Sequence, residues 1–364
     1  MQKEKLLGKN LAEIQAVVRD LAMPDFTAKQ IAQWLYAKRA TDFESMTNIS
    51  AKNRALLAEK YEIGRKKYDL VTVSTDGTKK YLFDTTNGFV ETVYIPDNER
   101  HSLCVSCQVG CKMRCEFCMT GKMGFSGHLF ASEILNQIFS IDEAEKITNL
   151  VFMGMGEPFD NTAQVIMAIN ALTSDWGLGW SPHRITVSSV GVMRGMKEFL
   201  EQTACHLAIS LHNPFSDERL KIMPVENAYP IEKIVSELKK YDFAHQRRIS
   251  FEYIMFDGIN DSQRHATGIV KLLRGLPCRV NLIRFHKTDG CDFFSPSQEK
   301  MEWFRDYLSE NQIICTIRRS RGEDIAAACG QLYADRQEDK KIENKKLEEK
   351  SGVIPAQAGI PFVN

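Results

Sequence analysis

The sequence lacks a long apolar run, an excess of one charge and any low-complexity segment. No stretch approaches the ~18 consecutive apolar residues of a membrane-spanning helix, so we expect no membrane association. Lys and Arg total 47, as do Asp and Glu, which excludes a strongly basic protein that coats nucleic acid through its overall field. With 22 Gly and 11 Pro among 364 residues, collagen-like and disordered compositions are also excluded. The composition is that of a globular protein with two or three domains.

The first residues also lack the features of a secretory signal. They lead into an amphipathic pattern, with neither an apolar core nor a small-residue cleavage site. We therefore expect a cytoplasmic protein, in which thiols stay reduced. Its ten cysteines are then metal ligands, catalytic thiols or core residues before they are disulfides. Five of the ten lie between Cys104 and Cys118.

The first hundred residues show two patterns in succession. Apolar residues recur at helical spacing over residues 6–60 and predict a small helical bundle. Three short alternating runs follow, separated by Asp76-Gly77 and Asn87-Gly88, which are typical of β-hairpin turns. We predict a helical accessory domain over residues 1–68 and a β-hairpin connector over residues 69–100.

From about residue 101, short apolar runs alternate with helical patterns of ten or more residues. This alternation predicts a parallel α/β sheet, and six units are too few to close an eight-fold barrel. We therefore expect a partial (β/α)6 barrel over residues 101–334, followed by a charged, disordered tail over residues 335–364. The six apolar runs are 103–109, 149–153, 184–189, 206–211, 249–256 and 279–285, and a further run covers 313–317.

Three cysteines follow the first of these runs, with three and then two residues between them. Cys111, Cys115 and Cys118 on a tight loop can bind three irons of a 4Fe–4S cluster and leave the fourth iron open. An open iron can bind the amino and carboxylate groups of S-adenosylmethionine and reduce its sulfonium, which releases a 5′-deoxyadenosyl radical. Two alternatives remain: a zinc ion held by the pairs Cys104/Cys107 and Cys115/Cys118, or core thiols without a metal. Zinc is less favoured, because such pairs usually lie about twelve or more residues apart.

The cysteine spacing, with Phe117 before the last cysteine, resembles that of the radical S-adenosylmethionine superfamily. Five segments in combination resemble the dual-specificity RNA adenine-C2 methyltransferases, and the likeness covers about residues 1–335. The resemblance implies a radical-SAM barrel with one 4Fe–4S cluster and two S-adenosylmethionine molecules per turnover. It implies methylation of C2 of adenosine 2503 in 23S rRNA and of adenosine 37 in tRNA. The segments are 89–96, 104–111, 152–158 (Phe-Met-Gly-Met-Gly-Glu-Pro), 210–212 (Ser-Leu-His) and 321–332, which contains Ala-Cys-Gly-Gln.

The same resemblance implies roles for individual residues. Cys329 is the S-methylcysteine intermediate, and Cys104 is the resolving thiol that forms a transient disulfide with it. Glu91 is the proton acceptor, although the sequence leaves open whether Glu91 or Cys104 takes the C2 proton. Cys107 has no implied role and is read as a buried structural cysteine. The implied S-adenosylmethionine contacts are Gly156, Glu157, Ser188, Ser210, Leu211 and His212, with His286 where the family often has Asn.

The partners that the resemblance implies are 23S rRNA, tRNA and a reductant such as flavodoxin or ferredoxin, and we expect a monomer. Helical residues 1–68 are expected to bind RNA. Arg284, Arg318, Arg319 and Arg321 either neutralise RNA phosphates around an unstacked adenosine or are merely exposed. Two other functions fit parts of the pattern: the related adenine-C8 methyltransferase of the antibiotic-resistance type, and a non-catalytic zinc-dependent RNA-binding module.

Overall fold

The computed structural model describes residues 3–243, 248–287, 290–328 and 330–332. Its N-terminal part is the predicted helical bundle. Asn10 caps the first helix and accepts the Glu13 backbone N–H, while the Glu13 side chain accepts the Asn10 N–H. A two-residue parallel pair that the sequence did not reveal, β1 (Glu4–Lys5) with β2 (Tyr61–Glu62), joins the two ends of the bundle. The helices are α1 (Leu11–Asp20), α2 (Thr27–Ala32), which continues into a π-helical turn (Gln33–Ala37), and α3 (Ala51–Lys60).

The predicted hairpins are confirmed, but they continue the central sheet. Strands β3 (Leu70–Val73), β4 (Lys79–Thr85) and β5 (Gly88–Asp97) pair in antiparallel fashion, and β5 pairs with β6 (Arg100–Cys104). The predicted boundary between the connector and the barrel, at residue 100, therefore lies within one continuous hydrogen-bonded sheet. Where the chain divides into domains stays a prediction.

Strand β6 begins a run of seven parallel strands, one more than the six predicted. The additional strand is the 313–317 run, which pairs with its neighbour in parallel. The other parallel strands are β9 (Asn149–Phe152), β10 (Ile185–Ser189), β11 (His206–Ser210), β12 (Ile249–Met255), β13 (Arg279–Arg284) and β14 (Ile314–Ile317). The strand order in the sheet is β14-β13-β12-β11-β10-β9-β6-β5-β4-β3. Because β14 and β3 lie at opposite edges, the predicted open, partial barrel is confirmed.

Helices follow the parallel strands and cover their outer face. Alternate strand residues such as Val187, Leu207 and Ile209 are fully buried beneath them, and each such side chain contributes about 1.5–3 kcal/mol by leaving water. No helix in the described ranges is long and apolar enough to cross a bilayer. The helices are α5 (Ala131–Phe139), α6 (Thr162–Thr173), α7 (Met193–Gln202), α8 (Ser216–Ile222), α9 (Ile231–Leu238), α10 (Gln263–Leu273) and α11 (Gln298–Glu310), with a short α4 (Met119–Lys122) before them.

The prediction of one strand over residues 103–109 is wrong. The sheet strand ends at Cys104, because the next backbone groups bond elsewhere: Ser106 N–H donates to the Gln137 side chain, and Cys107 N–H to the Met155 carbonyl. The chain then forms a separate hairpin of β7 (Gln108–Gly110) with β8 (Phe125–His128). This hairpin holds the loop that carries the three closely spaced cysteines.

Candidate active site

The carboxyl ends of the parallel strands surround a cavity of about 140 Å³ that the three closely spaced cysteines also line. Such strand ends are where barrel folds place their chemistry. The structure thus brings together two sets of residues that lie far apart in the sequence. The predicted site residues that line this cavity are Cys111, Cys115, Cys118, Gly156, Glu157, Ser188, Ser210 and His212.

The cysteine loop is held by backbone contacts that leave little room for side chains at its base. Gly110 has φ +72°, and a Cβ there would lie 1.7 Å from the Gly124 carbonyl oxygen. The Cys111 N–H donates to that same oxygen at 2.9 Å. Within the loop, the Cys118 N–H donates to the Cys115 carbonyl at 3.1 Å. The three sulfur atoms are therefore presented by a rigid turn.

The three closely spaced cysteines are buried thiols with raised pKa values. Burial raises the pKa of Cys111 to about 12 and also raises the pKa of Cys115 and of Cys118. Thiolates in such surroundings need a bound metal for compensation. Across the residues that the structure describes, no three His, Cys, Asp or Glu side chains come close enough to hold one metal ion. Three cysteines on one turn suit separate corners of a 4Fe–4S cluster.

Glu157 supplies a buried carboxylate on the opposite wall. Its Oε1 accepts the Phe159 N–H at 2.9 Å and the Ser189 hydroxyl at 2.6 Å, and its Oε2 accepts the Val190 N–H at 3.0 Å. Burial raises the pKa of Glu157 to about 7 although these hydrogen bonds oppose the shift. A carboxylate has about four acceptor positions, so one remains for an N–H of a ligand amino group.

Gly156 is required by packing as well as by its place in the cavity wall. Its φ is +100°, and a Cβ would lie 2.5 Å from the Cβ of Gln108. The Gln108 side chain in turn accepts the Glu157 N–H at 2.8 Å. The glycine thus lets the end of β9 lie directly on the hairpin that carries the cysteines.

His212 is buried and uncharged. Burial, with the charge of Arg219, lowers its pKa to about 3. Its Nδ1 accepts the Ile254 N–H at 3.0 Å, so in this tautomer Nε2 carries the ring proton. The ring packs edge-on against Phe117, the residue before the last cluster cysteine, with centroids 5.0 Å apart. The imidazole therefore offers the site a neutral donor.

Two predicted S-adenosylmethionine contacts do not line this cavity. The Leu211 side chain is fully buried. His286 lines a neighbouring cavity of about 270 Å³, where its Nε2 lies 2.8 Å from the Ser320 hydroxyl and its Nδ1 lies 3.6 Å from Glu323. Those two contacts hold the ring against the residues after β14, and a contact of His286 with S-adenosylmethionine stays a prediction.

Cys104 and Glu91 share the inner face of the sheet, which we define as the face that lines these cavities. Ile95 of β5 and Ser102 of β6 are opposite one another and line the 270 Å³ cavity. Side chains alternate along a strand, so Glu91 and Cys104 lie on the same side as these two residues. Glu91 has no solvent exposure. The two predicted participants in product release are thus on one surface.

Residues 318–332, which we call the C-terminal segment, cross from β14 to the antiparallel strands. Its beginning contacts the parallel part of the sheet, where the Arg318 N–H donates to the Leu282 carbonyl at 2.8 Å. Its middle contacts the turn between β3 and β4, where the Gly322 N–H donates to Asp76 at 3.0 Å. The segment therefore spans the open side of the barrel.

The end of the C-terminal segment lies on the cysteine loop. The Met119 N–H donates to the Gly330 carbonyl at 2.8 Å, and the Thr120 hydroxyl donates to the Leu332 carbonyl at 2.9 Å. Gly330 lines the same cavity as the cluster cysteines. Cys329 itself and the predicted tail over residues 335–364 lie outside the described residues, but both chain neighbours of Cys329 are at cavity walls: Ala328 lines the adjoining cavity.

The four predicted RNA-contacting arginines differ in their surroundings. Arg284 donates to Gln298 at 2.6 Å, and Arg321 pairs with Asp97 at 2.9 Å. Arg318 lies 3.7 Å from Glu252 at the inner face. Arg319 is 77% exposed and lies 4.0 Å from Asp97, so its charge is the most accessible of the four.

Sequence reasoning missed two buried charged residues, one behind the cavity and one in its wall. Arg219 is fully buried, pairs with Glu226 and donates to the carbonyls of Leu211 and Ser210 at 2.9 and 2.8 Å. It thereby fixes the end of β11. Glu252 lines the cavity and accepts from Asn281 at 2.8 Å. A carboxylate inside the apolar run over 249–256 was the available signal for Glu252.

Comparisons with known proteins agree with this geometry. Residues 105–268 match the radical SAM superfamily, and residues 4–63 match the ribosomal RNA large subunit methyltransferase N-terminal domain. A probable dual-specificity RNA methyltransferase RlmN of Porphyromonas gingivalis is 55% identical over 338 residues, which cover 93% of this chain and 96% of the relative. The dual-specificity RNA methyltransferase RlmN of Geotalea uraniireducens is 39% identical over 333 residues, covering 91% and 97%.

A solved structure, that of a radical SAM methyltransferase from Sphaerobacter thermophilus, has the same fold. It superposes with a TM-score of 0.86 at 37% identity, covering 91% of this chain and 100% of that chain. With relatives this similar over nearly their whole length, the chain belongs to the dual-specificity RNA methyltransferase family of the radical SAM superfamily.

Proposed function

We propose that the protein methylates C2 of adenosine 2503 in 23S rRNA and of adenosine 37 in tRNA, with two S-adenosylmethionine molecules per turnover. The observation that carries this proposal is the meeting of three parts of the chain in one cavity. The cluster cysteines, the strand-end residues and Gly330, the neighbour of Cys329, all line it. Cys329 precedes Gly330 in the sequence, which supports its role as the thiol that receives a methyl group and is then acted on again.

The donor set fits one 4Fe–4S cluster, held by Cys111, Cys115 and Cys118, together with S-adenosylmethionine. When bound, the cluster supplies the electron that splits S-adenosylmethionine and generates a carbon radical. The protein's own part is to position the methyl acceptor. Adenine C2 is not a nucleophile, so a direct methyl transfer to it has no path, whereas the thiolate of Cys329 can accept a methyl cation equivalent.

Residues on the inner face complete the reaction. Addition of the methylene radical on Cys329 to C2 leaves an unpaired electron in the purine ring, and this electron would return to the oxidised cluster. The C2 proton must leave as well, and Glu91 provides a carboxylate for it. The Cys104 thiolate then attacks the Cys329 sulfur. The new S–S bond forms as the C–S bond breaks, its electron pair goes to the carbon, and one proton completes the methyl group. Two thiols are oxidised to a disulfide, which a cellular thiol reductant must reduce before the next cycle.

The protein receives its electron from a reductant such as flavodoxin or ferredoxin, acts as a monomer and works in the cytoplasm. The exposed Arg319, with the helical residues 1–68, supports binding of RNA phosphates near the site. A loop with an unstacked base is the substrate that such a site admits.

Analysis of the modified nucleoside tests the proposal. The cluster-loaded enzyme, S-adenosylmethionine, a reductant and 23S rRNA or tRNA should give 2-methyladenosine, identified by mass and NMR. Cys329→Ala should give none while its iron content is unchanged. If 8-methyladenosine is the sole product, or if Cys329→Ala methylates RNA fully, the proposal is wrong.

A further inference from the structure

Lys80 and Glu91 form an ion pair inside the sheet. The Lys80 Nζ lies 2.6 Å from the Glu91 Oε1, and the two side chains are 6% and 0% exposed. They are on adjacent antiparallel strands, with Lys80 opposite Val93 and Glu91 two residues before Val93. Val93 is opposite Cys104 on the next strand. The ion pair and Cys104 therefore share the inner face of the sheet.

Stability alone does not account for this pair. Removing a lysine and a glutamate from water costs several kcal/mol for each ion, and well-packed apolar residues in place of a buried ion pair are often neutral or stabilising. Leu82 and Val93, which lie opposite Glu91 and Lys80 on the same face, are buried and apolar, so this part of the sheet could be completed with apolar side chains. The ion pair therefore has a role other than stabilising the fold.

A buried glutamate without a cation beside it tends to be protonated, and a protonated carboxyl group cannot accept a proton. The ammonium group of Lys80 opposes this effect. The two charged groups are in contact at 2.6 Å inside the sheet, where their attraction is only weakly screened, and this contact keeps the carboxylate beside Lys80 on the inner face.

We propose that Lys80 is a positioning residue for Glu91, which it keeps ionised and aimed at the inner face so that the carboxylate can take the C2 proton of the RNA adduct. The proposal rests on the proposed function. In this step the C2–H bond breaks, the proton goes to a Glu91 oxygen, and the electron pair of the bond stays in the purine ring. Lys80 itself touches neither RNA nor cofactor.

Lys79 offers a matched control within the same strand. Its ammonium group pairs with Glu143 at 2.5 Å, on the opposite face of β4. Lys79→Met therefore removes a neighbouring lysine and an ion pair without changing the inner face.

The experiment follows three stages separately with the cluster-loaded full chain: S-methylation of Cys329, formation of the covalent RNA adduct, and release of methylated RNA. Lys80→Met should complete the first two stages at rates near those of the wild type but release RNA at least about tenfold more slowly, a share of the ~10²–10⁴-fold effect of a general base. Lys80→Arg should restore most of the release rate, and Lys79→Met should behave as the wild type. Combining Lys80→Met with Glu91→Gln should slow release no further than Glu91→Gln alone.

Release at the wild-type rate in Lys80→Met, or additive effects in the double variant, would overturn the proposal for Lys80. Should Lys80→Met fail to fold by circular dichroism, Lys80→Gln replaces it with the same expected and contrary outcomes. Failure of the proposed function gives a different result, because the wild type would then show no S-methylated Cys329 or no 2-methyladenosine.

Discussion

The carboxylate of Asp76 accepts the backbone N–H of Gly322 at 3.0 Å, and so ties the C-terminal segment to the turn between β3 and β4. The tie is reciprocal, because Asp324 of the segment accepts the Ser74 hydroxyl at 2.5 Å and the Thr75 N–H at 3.2 Å. Gly322 has φ +63°, and a Cβ there would lie 2.9 Å from Thr78. The segment that leads to Cys329 is thus held in one register on the turn.

Asp76→Ala should slow the S-methylation of Cys329 by about tenfold or more, because small displacements of reacting groups are costly. Mass analysis of the Cys329 peptide, with S-adenosylmethionine and no RNA, measures this rate. Asp42→Ala is the control, since Asp42 likewise accepts a backbone N–H, from Ser45 at 2.8 Å, but in the N-terminal bundle. Equal rates in the wild type and Asp76→Ala would show that the tie does not position the thiol.

The same tie should withstand mild acid. Burial acts to raise the pKa of Asp76, but hydrogen bonds from Thr78, Gly322 and Ser74 outweigh it and lower the pKa from 3.8 to about 2. The folded-state pKa is depressed, so the stabilisation is fully present above pH 3.8 and is lost as the pH falls toward 2. Hydrogen exchange of the Gly322 amide, compared between the wild type and Asp76→Asn, should show a difference that persists unchanged from pH 5 to pH 8.

Cluster content should depend on each of the three closely spaced cysteines. Anaerobically purified wild type should carry about four irons and four sulfides per chain. Cys118→Ala should lose most of both, together with the brown colour, because two sulfur ligands cannot retain the cluster. Cys205→Ala, a change at a fully buried cysteine that does not line the cavity, should keep the wild-type content. A colourless wild type with one zinc per chain would contradict this prediction.

Cys104→Ala should trap the RNA on the protein. Without the second thiol nothing displaces the methylated base from Cys329, so a covalent adduct that survives denaturing electrophoresis should accumulate. Nuclease treatment should convert it to a protein carrying a modified Cys329, detectable by mass. Cys107→Ala is the control, because the Cys107 N–H and carbonyl are used in the backbone packing of the hairpin and its thiol does not line the cavity. Multiple turnovers by Cys104→Ala would exclude the resolving role.

Binding of S-adenosylmethionine should strengthen as the pH rises through about 7. Burial raises the pKa of Glu157 to about 7, so below that pH the group is increasingly protonated and is a weaker acceptor for the N–H of the ligand amino group. The affinity of the cluster-loaded enzyme, measured by equilibrium dialysis between pH 6 and pH 8, should show this rise. Glu157→Gln should bind more weakly and lose this rise. An unchanged pH dependence in the variant would mean that another group is responsible.

Gly156→Ala should lower the free energy of unfolding by about 2–4 kcal/mol, the sum of left-handed backbone strain and overlap with Gln108. Gly275→Ala measures the backbone strain without the overlap. Gly275 also has a positive φ, +79°, but no atom lies within 4 Å of its Cβ position, so only about 1 kcal/mol is expected. Denaturant unfolding of both variants measures the difference, and equal losses would contradict the overlap.

The strands were predictable where local pattern and final pairing agree. The runs over 206–211 and 249–256 became β11 and β12 within one residue at each end, since strands buried on the sheet are continuous apolar stretches. The run over 103–109 was equally apolar but divided after Cys104, because the Gln137 side chain from a distant helix takes the Ser106 N–H. Periodicity cannot reveal a contact across that distance.

Some residues of the candidate site could likewise be predicted from the sequence, and others could not. Spacing and resemblance placed the cluster cysteines, Glu157 and His212 at one cavity, and the structure brings them there. Position counted along the sequence gave His286, whose ring contacts Ser320 and Glu323 beside the neighbouring cavity, and its role toward S-adenosylmethionine stays a prediction. The buried positions of Lys80 and Arg219 could not be recognised from the sequence, because a lysine or an arginine is usually exposed.

The C-terminal segment is also synthesised after the cysteine loop and the sheet, because it follows them in the chain. A ribosome makes the chain from its amino end, so the three closely spaced cysteines and most of the sheet emerge well before Cys329. The β3–β4 turn that holds the segment is likewise made early. Cys329 is therefore synthesised after the anchor of the segment and most residues that line the cavity, and premature release of the nascent chain yields a protein without the thiol that we propose to accept the methyl group.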